Sequence, residues 1–464
     1  MKILSVITLL FLAMSAPSLL NAQEKVLVDE DYKKDAVEKL SQLILDNYVY
    51  VDVAEKTVKH LKTEAKSGAF KDHTDLESFA NALTETVQYI NKDKHMRIRP
   101  RRPTQTKENT PERMIEDMIY HHNYRREVIA GFQEARKIEG NIGYLDLRGF
   151  AGVDWGAPVA DRYMYLLASS DALIIDLRKN GGGDPNMVQY LCSYFFDGKV
   201  HLNSLYWRQG DRTDEFWTLE EVGGTKMPDV PLFVLTSPRT FSGAEEFSYN
   251  MQTQKRATLV GETTGGGANP GGTLRINAQL GVFVPTGAAI NPITKTNWEG
   301  VGVVPEVKVP KEEALDKAIE LAKVAAEEYR KKNTAKYKKM FVGLQQALDN
   351  HQAGDDEMAV LKQVKACTKA GIMSEGDINM MGYELMGRKK SIAAEAILKV
   401  NTILYPNSAN TYDSYGEALA ANGKIKEAIK SYQKAVEVAE ANEDGNLELF
   451  KENLEKVKAM SMKK

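Results

Sequence analysis

Between Pro231 and Phe247 the chain reads PLFVLTSPRTFSGAEEF, which lifts the hydroxyl of Ser242 off the end of a buried strand onto the start of a helix. Pro231 to Leu235 is the short continuous apolar run of a strand covered on both faces, and residues 244–252 read as a helix. The unpaired N–H groups and positive dipole end of that helix would favour an oxyanion forming beside Ser242. The same residues also carry a purely structural meaning, because Ser242 followed three positions later by Glu245 is a capping box. A second candidate feature is the glycine run NGGGD, Asn180 to Asp184, directly after the apolar segment ALIIDLR. Glycine there permits the positive φ and close approach that a donor-presenting turn requires, and equally serves a tight strand-to-helix turn.

Those two segments lie in a stretch, residues 141–310, where strands alternate with helices: NIGYLDL, a helix near 160–167, ALIIDLR, a helix over 186–196, PLFVLT, a further helix and ATLVGE. The alternation predicts an α/β layer with a largely parallel sheet, whose ligands collect beyond the carboxyl ends of strands. Ser242 and the glycine run both sit at such ends. Before this core, residues 35–49 and 76–90 carry apolar positions at helical spacing, and residues 101–138 are polar and basic, including the HHNYRR run from His121 to Arg126. After it the chain is helical again. Gly382 and Gly416 are 34 positions apart (416 − 382), as are Leu385 and Leu419, and Ala394 and Ala428. That period is the tetratricopeptide one, whose stacked helix pairs offer a concave surface for a peptide or protein partner, or simply buttress a neighbour.

The chain has 464 residues, too many for one core, so the expected organisation is multi-domain. Its parts are a processing segment over 1–22, a helical domain over 23–100, a linker over 101–138, a core over 139–311, a helical connector over 312–374 and repeats over 375–464. Lys2, the apolar run from Ile3 to Ala13 and Ala22 give the first segment the form of a secretory signal, so export to a periplasmic or extracellular location is expected. With 43% apolar and 27% charged residues and a formal charge of −3, the chain is a folded one with no general electrostatic case for nucleic acid or an anionic membrane. No later stretch approaches a membrane span. The two cysteines, Cys192 and Cys367, read as ordinary buried thiols.

Four segments in order, DKHMRI at 93–98, ALIIDLRKNGGGD at 172–184, TSPRTFSGAEEFSYNMQTQKRATLVGETTGGGANPG at 236–271 and NWEGVGVVPEV at 297–307, resemble the S41 serine peptidases, the C-terminal-processing and tricorn-like group that also holds the interphotoreceptor retinoid-binding protein repeats. The resemblance covers about residues 24–310 and implies a crotonase- or ClpP-like αβ peptidase core behind an N-terminal helical domain. Nothing between Arg101 and Gly140 resembles a PDZ module, which points to the branch without one. Processing peptidases of the group place a lysine in a TxGKG segment. The corresponding TTGGGANPG, Thr263 to Gly271, has none, which disfavours a Ser–Lys dyad. The tricorn-like arrangement uses a histidine and a glutamate, and His95 and Glu299 stand at the matching positions. Where tricorn-like members carry a serine before the histidine, this chain has Lys94, so Asp93 is an alternative orienting group.

The implied roles are chemically coherent. A serine hydroxyl needs a base that titrates near the working pH, and histidine suits that task. A carboxylate on the second ring nitrogen fixes the tautomer and stabilises the imidazolium, the role implied for Glu299. Oxyanion donors would be the N–H of Gly243 and one from Gly181, Gly182 or Gly183. No cofactor or metal is expected, since the remaining histidines lack ligand spacing. The reading is an exported serine peptidase acting on protein or peptide substrates through an acyl-enzyme. The alternatives are a non-catalytic binder of a small apolar ligand and a scaffold acting through the repeats. The basic residues Arg97 to Arg102, with Arg125 and Arg126, are candidates to receive a substrate carboxylate.

Overall fold

The computed structural model describes residues 28–101, 110–112, 114–115, 118 and 129–462. The expected secretory signal, His121, His122, Arg102, Arg125 and Arg126 lie outside them. The chain divides into two compact units, residues 1–326 and 327–464, each taken by itself below.

The first unit opens with three helices, α1 (Glu30–Asn47), α2 (Val51–Ser67) and α3 (Leu76–Asn91). Asp29 and Asp75 cap α1 and α3 by accepting from the N–H groups of Tyr32 and Ser78. Helix α2 escaped the sequence reading because its apolar face is thin: only Ala54, Val58 and Leu61 are its buried apolar residues. Helices α1 and α3 pack, through Leu40, Ile44, Phe79 and Leu83, onto one face of a three-stranded antiparallel sheet of order β1-β10-β9, where β1 is Ile98–Pro100, β9 Gly271–Arg275 and β10 Leu280–Pro285, and α2 packs against both helices. Ile98, Val282 and Val284 supply that face.

Below it lies the α/β core. Six strands run in the order β12-β8-β7-β4-β3-β2, namely Val307–Lys308, Thr258–Gly261, Leu232–Thr236, Ala172–Asp176, Ile142–Leu147 and Phe132–Ile138. Every neighbouring pair is parallel except β2 with β3. The central strands β3, β4 and β7 are buried at every position, which is why they read as unbroken apolar runs. Helices α4 (Val153–Leu167), α5 (Pro185–Ser193) and α6 (Gly243–Thr253) follow β3, β4 and β7, and a small antiparallel sheet joins β11 (Gly287–Ile290), β5 (His201–Trp207) and β6 (Arg212–Trp217).

Two expected boundaries move. The segment 101–138, read as a linker, ends in β2: as an edge strand with one wet face, FQEARKI buries little beyond Phe132 and so looks like a polar flank. The segment 312–374, read as a connector, begins as core. Helix α7 (Ala314–Asn350) starts in the first unit, and Ala314, Ala318, Ala322 and Ala326 lay a four-residue-spaced alanine stripe against Ile142, Ile174 and Val260 of the sheet.

The second unit is all helical: α8 (Met358–Lys369), α9 (Glu375–Gly387), α10 (Ser391–Leu404), α11 (Ala409–Ala421), α12 (Ile425–Ala441) and α13 (Leu447–Met462) follow the end of α7. Helices α9 and α11 begin 34 residues apart (409 − 375), as do α10 and α12 (425 − 391). The packing repeats too. A Cβ at Gly382 would come within 2.5 Å of Leu398, and one at Gly416 within 3.0 Å of Tyr432, each glycine facing the residue 16 positions on (398 − 382, 432 − 416). Cys367 is buried in this unit and Cys192 in the first, both as free thiols.

Candidate active site

Strand β7 ends at Thr236, and six residues later the chain turns sharply into α6. Ser242 occupies that turn with φ 54° and ψ −123°, left-handed backbone that a non-glycine residue adopts only when its surroundings hold it there. Helix N-caps ordinarily sit in extended backbone, so capping alone does not account for this geometry. Glu245 does close the reciprocal half of the capping box, accepting from the N–H of Ser242 at 2.8 Å. It also accepts from Thr264 Oγ1 at 2.5 Å and from the N–H groups of Gly266 and Gly267 at 2.6 and 2.9 Å. Burial pushes its carboxyl up while these donors pull it down.

The glycine run reaches Ser242 through space. A Cβ at Gly182, whose φ is 101°, would lie 2.7 Å from the Gly243 nitrogen and 2.8 Å from Ser242 Cβ, so only glycine fits. The N–H of Gly182 itself donates to Asn180 Oδ1 at 2.8 Å. This corrects the expectation that Gly182 is an oxyanion donor: its role in the structure is close approach. The amides of Gly243, Gly181 and Gly183 carry no such bond, and Gly243 stands at the first position of α6.

His95 comes from the loop between α3 and β1. Its ring packs against Phe241, the residue before Ser242, with centroids 4.6 Å apart, and stacks on Phe283 at 5.5 Å. No hydrogen bond joins the ring to Ser242. Its Nδ1 is a buried atom with no partner, and so is Oε1 of Glu299. His95, Glu299 and Asp93 each offer an atom within 4.8 Å of the others, so the structure brings to the Asp93–His95 loop a glutamate 204 positions further on (299 − 95). Asp93 is already engaged. Its Oδ1 accepts from the His95 N–H at 3.0 Å and lies 3.9 Å from Nδ1, and its Oδ2 accepts from Asn269 Nδ2 at 3.0 Å and Tyr48 Oη at 3.4 Å. Glu299 uses only Oε2, which takes the N–H groups of Ala268 and Asn269 at 2.6 and 3.1 Å.

Burial, with Arg97 adding like charge, pushes His95 down to about 4, so the ring is neutral across the neutral range. Burial and the Asp93 carboxylate push Glu299 up to about 7. Three ligating atoms this close are also the minimum for a metal, but the oxygens of Asp93 are all occupied by hydrogen bonds, which suits a rigid support for His95 better than a ligand.

These groups are held together by residues 264–269, within the TTGGGANPG stretch that lacks the lysine. Residues 264–269 reach Glu245 through Thr264, Gly266 and Gly267, Glu299 through Ala268 and Asn269, and Asp93 through Asn269. Lys94, which stands where the resemblance leads one to expect serine, donates from Nζ to the Gly265 carbonyl at 2.6 Å and so docks the histidine loop onto it. A lysine therefore does reach this loop, from another segment. A Cβ at Gly267 would strike the Phe241 ring at 2.3 Å and His95 Cε1 at 2.8 Å. Most of these contacts use backbone amides, which leave no side-chain signature.

The peptidase family S41 model matches residues 141–309, and the model for the N-terminal domain of peptidase S41 in eukaryotic IRBP matches residues 18–132. Similar solved structures include a candidate peptidase from Parabacteroides merdae, 17% identical, covering 62% of this chain and 96% of that one with a TM-score of 0.46. The photosystem II D1 C-terminal processing protease is 15% identical, with 60% of this chain and 93% of that one covered and a TM-score of 0.38. A lipoprotein from Streptococcus agalactiae is 16% identical over 64% of this chain and 96% of that one, with a TM-score of 0.40.

Proposed function

From the premise that residues 141–309 carry a peptidase S41 region behind its own N-terminal domain, we propose that the chain is an exported serine peptidase with Ser242 as nucleophile, His95 as base and Glu299 as the orienting carboxylate. One observation carries this reading: two buried polar atoms without partners, His95 Nδ1 and Glu299 Oε1, belong to a cluster whose imidazole packs on the residue next to a strained serine. Orphaned buried groups are costly and need a reason. Donation from Nδ1–H to Oε1 would satisfy both and leave Nε2 to take a proton from the hydroxyl.

Ser242 Oγ attacks the scissile carbonyl as Nε2 accepts its proton. The oxyanion is met by the Gly243 N–H and one from Gly181 or Gly183 at the positive end of α6. The imidazolium, held by Glu299, then protonates the leaving amine, and water activated by the same ring releases the acid. Glu299 is a better partner for the ring than Asp93 because only Glu299 has a free oxygen. The second unit is read as tetratricopeptide-like on its two 34-residue helix offsets and the repeated glycine contacts.

The test is hydrolysis of an unstructured protein such as β-casein by the chain without residues 1–22, against Ser242→Ala and His95→Ala. Cleavage by the parent and by neither variant is expected. Cleavage undiminished in Ser242→Ala overturns the assignment, and an inactive parent that binds apolar ligands favours the binding-protein alternative.

A further inference from the structure

Beside His95 opens a cleft of about 700 Å³ whose lining includes Arg97, Arg99, Arg101, Arg239 and Phe283. Its chemistry follows from strand parity. Side chains alternate across β1 and its approach, so Met96 and Ile98 are buried while Arg97, Arg99 and Arg101 are exposed on the opposite side, in the parity of His95. The proposed base thus heads a row of guanidinium groups. Across the sheet Arg99 faces Gly281, where a Cβ would touch Arg101 Cγ and Thr273 Cγ2 at 3.4 Å, so the missing side chain keeps the floor low.

Among the described residues no carboxylate neutralises these cations. Arg97 Nε donates to the Lys94 carbonyl at 2.9 Å and Arg101 to the Asn277 carbonyl at 3.3 Å, which aim the groups without cancelling charge. Among the described residues, Arg97, Arg99, Arg101 and Arg239 form no ion pair with an aspartate or glutamate. The outward backbone groups of β1 and its approach are taken by α3, where Thr84 Oγ1 accepts from the Ile98 N–H at 2.9 Å and Gln88 donates to the Met96 carbonyl at 3.0 Å, so an extended segment would lie along the arginine face rather than add to the strand edge. Alternate side chains of such a segment repeat about every 7 Å, the spacing of the arginines themselves.

We propose that this cleft is a specificity site for acidic side chains at alternate positions of an extended substrate, read by Arg97, Arg99 and Arg101 as the segment leads to His95. The inference rests on the hydrolytic reading only in making this segment part of a substrate. A carboxylate could also come from a free C-terminus, and the test separates the two.

Ser242→Ala protein is titrated, by fluorescence anisotropy at low salt, with short labelled Gly/Ser peptides. One amidated peptide carries glutamate at alternate positions, a second the same number of glutamates contiguously, a third glutamine at the alternate positions, and a fourth is the glutamine peptide with a free C-terminus. Exposed pairs are individually weak, so the alternating glutamate peptide is expected to bind about tenfold more tightly than its glutamine counterpart and about threefold more tightly than the contiguous one. High salt should erase most of the difference, and so should Arg99→Gln with Arg101→Gln in protein whose thermal melt is unchanged. Equal binding of the alternating glutamate and glutamine peptides, or of alternating and contiguous ones, overturns the proposal. Tight binding of the free-C-terminus glutamine peptide matching the alternating glutamate peptide also overturns it, in favour of terminal-carboxylate recognition. Fluorophosphonate labelling of Ser242 in wild-type protein from the same preparation reports on the hydrolytic reading separately, whatever the peptides do.

Discussion

The nucleophile side of the site and the base side are built differently. Around Ser242 the supporting carboxylate is fully engaged: Glu245 binds four donors, Gly182 is wedged against Gly243, and the turn is fixed at the end of a buried strand. Around His95 the hydrogen bonding is unfinished, with Nδ1 and Glu299 Oε1 both buried and unpaired and no bond from ring to hydroxyl. The difference teaches that the α/β core holds the strained serine in place by itself, while the imidazole is brought to it by a loop outside that core. Substitutions on the base side should therefore reduce turnover without loss of stability, and those that crowd the serine turn should reduce both.

Glu299→Gln gives the largest expected separation. Losing the charge that stabilises the imidazolium should lower kcat/KM by about 10³- to 10⁴-fold while the melting temperature does not fall, a contrast that parallel kinetics and calorimetry would show. Gly182→Ala should do both kinds of damage. Its Cβ has no room beside Gly243, so turnover should fall by roughly 100- to 1,000-fold and stability by about 2–4 kcal/mol in denaturant titration. An unchanged melt for Gly182→Ala would break the comparison.

Next comes pH. Glu299 keeps its proton up to about 7, so below that pH it is neutral and cannot support the imidazolium, whereas His95, pushed down to about 4, is already unprotonated. Activity should rise from pH 6 to 8 with an inflection near 7, and the residual activity of Glu299→Gln should lack that limb in a pH–rate profile. The smallest effect concerns Glu246, behind the serine on α6, which burial pushes from 4.5 up to about 7. The native state holds this proton where the unfolded state has lost it, so the stabilisation is full below 4.5 and is lost as pH rises through 7. Glu246→Gln should raise the melting temperature more at pH 8 than at pH 5, by roughly a few degrees.

How much of this was legible in the sequence follows the same divide. The strand, turn and helix around Ser242 are local, and the apolar runs of β3, β4 and β7 announce burial on both faces. His95 and Glu299 came only from a resemblance, because nothing local marks a solvated-looking histidine or a loop glutamate. The loop 264–269 that joins them acts largely through backbone N–H groups, which any residue but proline can supply. Edge strand β2 was hidden by its polar face, and the start of α7 by alanines too small to signal a core. The alternating arginines of β1 were visible as a basic run, but their common face is fixed only once Ile98 is known to point into the helical domain.

The central claim is a reactive serine served by a distant imidazole, and mapping a fluorophosphonate adduct by mass spectrometry tests it most directly. The account predicts a single adduct on Ser242 in the wild type, and none in His95→Ala over the same incubation. Modification elsewhere with Ser242 untouched, or equal labelling in the absence of the His95 ring, would contradict it.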